Sequence, residues 1–284
     1  MVDGNRVVQG GFAVLLTVGL LTACSDDGPQ ARVAVIAISM DDFTIDAPDV
    51  VPAGLVEVQG LNDGDVTHQA VFAELPDDVT ADEYVATFLE APAATVDESQ
   101  LQGGLQFVEP GHGQGVTVLL EPGRYLLWCA LPGPGPGESH LAHGMWTELT
   151  VEGRSSNGRG LDAIPSAGTI ELIDWAFDAP DTLRSGAVYT VVNSGTQTHE
   201  IGMAALVDDA TRDDVLAFLS GEVPPGGPPP FTDLTGTGLL SPGASQTLNI
   251  DVPPGRYVLV CYIPDPHDGQ PHFMKGMIQV VDVV

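Results

Sequence analysis

The chain has 284 residues, enough for two domains of ordinary size. Its 39 acidic residues against nine basic ones give a formal net charge of −30, which disfavours nucleic acids and anionic membrane surfaces as partners and leaves a basic protein partner open. Apolar residues make up 43%, too many for a disordered chain, and 34 Gly with 23 Pro favour an all-β fold rich in turns.

The N-terminus has the features of an export signal. An apolar run follows Arg6, with the length of a signal-peptide core, and is short for a membrane span. It ends in Leu21-Thr22-Ala23-Cys24, which resembles the lipobox of bacterial lipoproteins. The resemblance implies a signal peptide over residues 1–23, lipidation of Cys24, a tether over 24–30 and a lipid anchor at the outer face of the cell membrane. An ordinary secretory signal followed by an unrelated cysteine is the alternative.

The rest of the chain contains an internal repeat. Three segments recur at an offset of 131 or 132 residues: Asp42–Pro48 as Asp174–Pro180, Asn62–His68 as Asn193–His199, and Pro122–Tyr125 as Pro254–Tyr257. So constant an offset indicates two copies of one domain. We predict domains over residues 31–152 and 168–284, joined by a polar linker over 153–167.

Short apolar runs bounded by Gly and Pro predict roughly seven strands in each copy, the pattern of a β-sandwich. One short helix is predicted to interrupt each sandwich. Thr80 and Thr211 are suitable N-caps, each with an acidic residue three positions later, and the helices would extend to Leu89 and Leu219. The predicted fold class is therefore all-β, with two tandem sandwiches.

Each copy also holds the same four candidate metal ligands, and both copies read Cys-x10-His-x4-Met with a further His upstream. Two imidazoles, a thiolate and a thioether form the donor set of copper sites that have a weak axial ligand. Zinc also accepts N and S donors, but a Met ligand favours copper. The eight candidates are His68, Cys129, His140, Met145, His199, Cys261, His272 and Met277.

Three alternatives remain open for these residues. His143 could replace His140 as a ligand, although its counterpart in the second copy is Lys275. Only two cysteines remain after Cys24, so a disulfide between Cys129 and Cys261 would be the ordinary interpretation in an exported protein. Packing alone is the third alternative, and the recurrence of all four residue types in both copies argues against it.

The motifs Asn62-x-Gly64-x3-His68 and Cys-x10-His-x4-Met, both present twice, resemble those of the cupredoxins, the blue-copper proteins such as plastocyanin and azurin. The resemblance implies a Greek-key sandwich and a type 1 copper site in each domain. It also implies Asn62 and Asn193 as supports of the ligands. The long Pro- and Gly-rich ligand loops, Ala130–Ser139 and Tyr262–Pro271, depart from the family pattern.

The function that follows is electron transfer with a redox partner protein, for which the acidic charge favours a basic surface. Multicopper oxidases and nitrite reductases need further histidines for a second copper centre. This chain has seven histidines and no His-x-His pair, so we expect a carrier and not an enzyme. A copper storage or delivery protein, or a non-redox interaction module with degenerate sites, are the alternatives.

Overall fold

The computed structural model describes residues 33–133, 135, 137–154, 160–222 and 227–284. The predicted signal peptide, the lipidation site Cys24 and the tether lie outside these residues, as does the middle of the predicted linker. No helix in the described part of the chain combines the length and apolarity needed to cross a membrane.

The described residues of the first half of the repeat, residues 31–152, form nine strands in two sheets. In β1 the buried and exposed side chains largely alternate, as expected for a strand with one face on the core. The strands are β1 Ala34–Asp41, β2 Thr44–Asp46, β3 Val50–Pro52, β4 Gly54–Asn62, β5 His68–Leu75, β6 Gln100–Val108, β7 Gly113–Leu120, β8 Gly123–Trp128 and β9 Trp146–Glu152.

In the second half, residues 168–284, the described residues repeat this arrangement with nine further strands. They are β10 Thr169–Ile173, β11 Ala176–Asp178, β12 Thr182–Leu183, β13 Val188–Asn193, β14 His199–Leu206, β15 Phe231–Leu240, β16 Ser245–Asn249, β17 Gly255–Val260 and β18 Ile278–Val283. Single-turn 3-10 helices lie at His140–His143, Leu161–Ala163 and His272–Lys275. The predicted all-β class with a sandwich in each half is thus confirmed.

The prediction of one helix per half is wrong for the first half. Helix α1 (Ala81–Glu90) begins after Thr80, whose side chain accepts a hydrogen bond from the Glu83 N–H at 3.2 Å. A second helix, α2 (Pro92–Glu98), follows directly because Pro92 lacks the N–H that would continue α1 but suits the first position of a new helix. Among the described residues of the second half there is one helix, α3 (Arg212–Leu219), capped by Thr211 as predicted.

Both sheets continue from one half into the other. One sheet has the order β11-β10-β13-β16-β7-β4-β1-β2, and the other has the order β12-β18-β17-β14-β15-β6-β5-β8-β9-β3. The strands at the junction are β6 and β7 in the first half and their repeat counterparts β15 and β16 in the second half. The two halves therefore pair through the same sheet edges. The halves are therefore related by an approximate two-fold axis. Residues Ala31–Val284 form one compact unit, so the division into two domains stays a prediction.

Two glutamines, the buried Gln246 and the half-buried Gln114, follow the same two-fold relation at the junction. The Gln246 side chain accepts from the Gly104 N–H at 2.7 Å and donates to the Gly104 carbonyl at 3.2 Å. Its counterpart Gln114 donates to the Gly236 carbonyl at 2.8 Å. Both glycines have positive φ, and a Cβ at either would lie about 2 Å from a backbone oxygen of the neighbouring strand. The two halves thus meet through specific polar contacts.

Candidate metal centres

In the first half, three of the four predicted ligands form one buried cluster. The Nδ1 atoms of His68 and His140 lie 3.2 Å apart, and the Cys129 Sγ lies 3.3 Å from the His140 Nδ1. The cluster contains His68, Cys129 and His140 with all donor atoms within 4.8 Å of one another. Each side chain is at most 3% exposed.

The second half builds the same cluster from His199, Cys261 and His272. The two Nδ1 atoms lie 3.0 Å apart, and the Cys261 Sγ lies 3.5 Å from His272 Nδ1 and 3.9 Å from His199 Nδ1. Within the described ranges, these two clusters are the groups of His, Cys, Asp or Glu close enough to share an ion. Neither cysteine is in a disulfide, so each cluster keeps its own thiol.

The strand order explains how the three side chains meet. His68 begins β5, while Cys129 directly follows β8, the antiparallel neighbour of β5. The chain then leaves the sheet and returns through the 3-10 turn that carries His140. Because the sheet fixes the positions of His68 and Cys129, the loop that carries His140 has only to place the second imidazole beside them.

Met145 and Met277 are anchored next to the clusters by their backbones. The Cys129 N–H donates to the Met145 carbonyl at 3.0 Å, and the Met145 N–H donates to the His140 carbonyl at 3.1 Å. Cys261, Met277 and His272 repeat these bonds. Both methionine side chains are fully buried, whereas Met274, three residues before Met277, is 48% exposed. These positions agree with the predicted choice of methionines, whose ligand role stays a prediction.

The donor set of each cluster fits copper. Zinc, which accepts the same donor types, holds imidazole nitrogen at about 2.0 Å and thiolate sulfur at about 2.3 Å, so donors that lie this close together can share one ion. Two imidazoles and a thiolate, followed by a buried thioether, match trigonal copper sites with a soft axial ligand. In both halves these four side chains would hold the ion.

The protonation state of the clusters also suits a cation. Burial raises the pKa of Cys129 to about 12 and raises that of Cys261 as well. Burial lowers the pKa of all four histidines, that of His272 to about 4, so the imidazoles are neutral at pH 7. Neutral imidazoles are metal ligands, and a bound cation would replace the thiol proton.

Two aspartates that orient the upstream histidines were missed in the sequence. Asp42 Oδ1 lies 3.3 Å from His68 Nε2, and Asp174 Oδ1 lies 3.0 Å from His199 Nε2. Each carboxylate fixes the tautomer that leaves Nδ1 free toward the cluster. Although burial opposes it, hydrogen bonds from Thr196 and His199 lower the pKa of Asp174 to about 2. The sequence did contain a signal for these aspartates, since each is the first residue of its copy of the first repeated segment.

An aromatic ring lies against the second histidine of each cluster. Phe43 contacts the His140 ring edge-on at 5.2 Å between centroids, and Trp175 contacts His272 at 5.0 Å. Phe43 and Trp175 have φ values of 65° and 69°, which are unfavourable for bulky residues. The same backbone strain at matching positions in both halves indicates that these rings are held in place for the site.

The remaining histidines lie outside the clusters. His143 Nε2 is 3.0 Å from Glu138 Oε2 on the surface, so His140, and not His143, joins the first cluster. His112 Nδ1 is 3.0 Å from the Pro110 carbonyl in an exposed turn. His267 is also exposed.

A further difference between the two clusters lies at the position of Gln197, next to the second histidine. In the second half, Gln197 Oε1 accepts a hydrogen bond from His272 Nε2 at 3.0 Å. The counterpart in the first half is Val66, whose side chain cannot accept one. Val66, Phe43 and His140 instead line a surface pocket of about 360 Å³. The first cluster therefore borders an apolar opening, and the second is covered by a hydrogen-bonded amide.

We expect Gln197→Val to weaken copper binding at the second cluster about 10- to 100-fold, the usual loss when a ligand histidine loses its outer hydrogen bond. Competition with a Cu(I) chelator in a Cys129→Ser background would measure this site alone. The matched control is Val66→Gln in a Cys261→Ser background, which adds an amide and should not weaken binding at the first cluster. An affinity unchanged by Gln197→Val would show that the His272 ring is held by packing alone.

No protein-family model matches the chain, and no curated protein matches it. It is similar to auracyanin from the photosynthetic bacterium Roseiflexus castenholzii at 23% identity and a TM-score of 0.28, over 41% of this chain and 95% of that chain. Auracyanin A, a blue copper protein of Chloroflexus aurantiacus, is 19% identical with a TM-score of 0.32, over 43% and 100%. A copper-containing nitrite reductase from Thermus scotoductus is 16% identical with a TM-score of 0.23, over 89% and 62%. The fold class assigned above rests on the strand pairing itself.

Proposed function

We propose that the protein is an exported, lipid-anchored electron carrier of cupredoxin-like architecture that holds one copper ion in each half. The observation that carries the proposal is the pair of buried His-Cys-His clusters. Each is followed by a buried methionine whose backbone makes the same hydrogen bonds to the cysteine and the second histidine in both halves. All eight predicted side chains act as ligands in this proposal. Export and anchoring at Cys24 rest on the sequence of the N-terminus.

Copper bound by such donors would cycle between Cu(I) and Cu(II) by gaining or losing one electron. The chain's own contribution is to hold the donors in place. The Gln69 N–H donates to Cys129 Sγ at 3.4 Å, and Asp42 orients His68. Donors fixed by the sheet move little between the two oxidation states, which favours electron transfer over binding of one state only.

An enzymatic role would require a second kind of copper centre. Four of the seven histidines are assigned to the two clusters, and the other three include no His-x-His pair. The carrier function is therefore favoured. The acidic surface supports a redox partner with a basic docking face, since complementary charge speeds encounter. The pocket beside His140 gives the first cluster an approach from solvent.

Copper titration of the purified protein tests the proposal. We expect two copper ions per chain, one for each cluster, an intense blue absorption with Cu(II), and reversible reduction. Tight Cu(I) binding without a blue Cu(II) form would instead support storage or delivery of copper. Two free thiols with no uptake of copper would contradict both functions and favour an interaction module.

A further inference from the structure

Four matching positions near the second histidine of each cluster have different surroundings in the two halves. In the first half they are half-buried or exposed and line the opening beside His140; they are Val66, Thr67, Leu131 and Pro132. In the second half their counterparts face helix α2 of the first half across a narrow gap; they are Gln197, Thr198, Ile263 and Pro264. The same positions of the repeated fold are therefore open in one half and covered in the other.

Helix α2 packs closely on these residues of the second half. Thr198 Oγ1 donates a hydrogen bond to the Val96 carbonyl of α2 at 3.2 Å, and the gap between α2 and the second half is too small for a water molecule. Gln197 is 9% exposed, whereas its counterpart Val66 is 40% exposed. Because Gln197 accepts the hydrogen bond from His272 Nε2, the helix and the amide together cover this edge of the imidazole.

This cover belongs to one copy of the repeat. Among the described residues of the second half, the only helix is α3, and none lies at the position of α2. The segment that follows α3, residues 220–230, contains five prolines, which lack the N–H that a helix interior needs. The single proline of α2 is at its first position, where a helix tolerates it. Since the first half builds its cluster without such a cover, the sandwich itself does not require α2.

The ligand loop on which α2 packs is also held by ion pairs. Lys275 pairs with Asp268 at 2.8 Å and with the buried Asp265, both in the loop that leads to His272. The Lys275 ammonium group lies 4.7 Å from the centre of the Trp175 ring, which contacts His272. The surface that α2 covers is therefore fixed on the side of the second half as well.

We propose that helix α2 closes the second cluster to molecules outside the protein, so that the first cluster exchanges electrons with the redox partner through the opening beside His140. A helix with its side chains is about 10 Å across, so a partner docked over α2 stays farther from His272 than a partner docked over the opening stays from His140. The division of roles rests on the proposed function. The closure itself is a property of the copper-free chain.

Chemical modification of histidines in the copper-free protein tests the closure. Diethyl pyrocarbonate acylates neutral imidazole nitrogens, and peptide mass spectrometry gives the rate at each histidine. We expect His140 to react faster than His272, with the exposed His112 and His267 as internal references for full access. Equal rates at His140 and His272 would overturn the proposal.

Thr198→Val keeps the shape of the side chain but removes its hydrogen bond to α2. A hydrogen bond of ordinary net strength corresponds to about a 2- to 12-fold change in an equilibrium constant, so local opening and the rate at His272 should rise by that factor. Thr67→Val is the matched control, because Thr67 is the counterpart of Thr198 and lines the opening of the first half. It should leave the rate at His272 unchanged.

Val96→Gly provides a second variant, since it removes a buried side chain from α2 and weakens the helix. It should raise the rate at His272 more than the rate at His140. Two results would overturn the role of α2: an unchanged rate at His272 in both folded variants, or an equal rise at His140, which reports unfolding of the whole chain.

Reduction of bound Cu(II) tests the division of roles. Cys261→Ser leaves the first site alone, and Cys129→Ser leaves the second. With hexaammineruthenium(II) as the reductant and the rates compared at equal driving force, we expect faster reduction of the first site. Equal or reversed rates would overturn the assigned roles. Histidine modification needs no copper, so a chain that binds none would contradict the proposed function while the closure is still decided by the rates at His140 and His272.

Discussion

Cys129→Ser and Cys261→Ser are each expected to lower the copper content from two ions per chain to one and to remove about half of the blue absorption. The blue band requires a copper–thiolate bond, and a serine hydroxyl does not replace a thiolate as a soft ligand. Each cysteine belongs to its own cluster, so the other site should keep its spectrum and potential. Metal analysis and visible absorption of the two variants and of the double variant would measure this.

The control for these variants is Met274→Leu, which changes an exposed sulfur residue near the second cluster outside the ligand set. It should keep both coppers and the full absorption. Loss of both ions in either single cysteine variant would contradict two independent sites. A full blue band in the double variant would exclude both cysteines as ligands.

The repeat made much of this site predictable. Because the copies share Cys-x10-His-x4-Met, alignment alone chose His140 over His143, and the structure places His140 in the cluster. Asp42 and Asp174 were not predicted, although they recur in the same alignment. An aspartate near the start of a strand has many structural roles, and only the fold brings these two to 3.3 Å or less from the imidazoles of His68 and His199.

The junction between the halves could not be predicted from the sequence. A repeat indicates two similar domains, but it does not show which strand edges meet. Gln114 and Gln246 look like ordinary polar residues of a strand until β7 and β16 are paired. A pocket of about 480 Å³ has the same origin, since Trp128 and Glu200 in its lining come from different halves and meet only after the halves assemble.

Asn62→Ala is expected to lower the free energy of unfolding by about 2 to 4 kcal/mol, because it leaves several buried polar groups unpaired. The fully buried Asn62 side chain donates to the carbonyls of Val66 and Val108 at 2.8 and 2.7 Å. It also accepts from the Gly64 N–H at 2.9 Å. These bonds close the loop that leads from β4 to His68, so metal affinity at the first cluster should fall with stability.

The second half provides a replicate of this prediction. Asn193 donates to the carbonyls of Gln197 and Leu240 at 2.8 and 2.7 Å and accepts from the Gly195 N–H at 2.9 Å. Asn193→Ala should therefore cost about as much as Asn62→Ala, and it should weaken the second cluster. Asn249→Ala, at an exposed strand position, is the control and should change stability by no more than about 0.5 kcal/mol. Urea unfolding of the copper-free variants measures all three. A loss below about 1 kcal/mol in Asn62→Ala and Asn193→Ala would mean that water replaces the amide and that the loop does not depend on it.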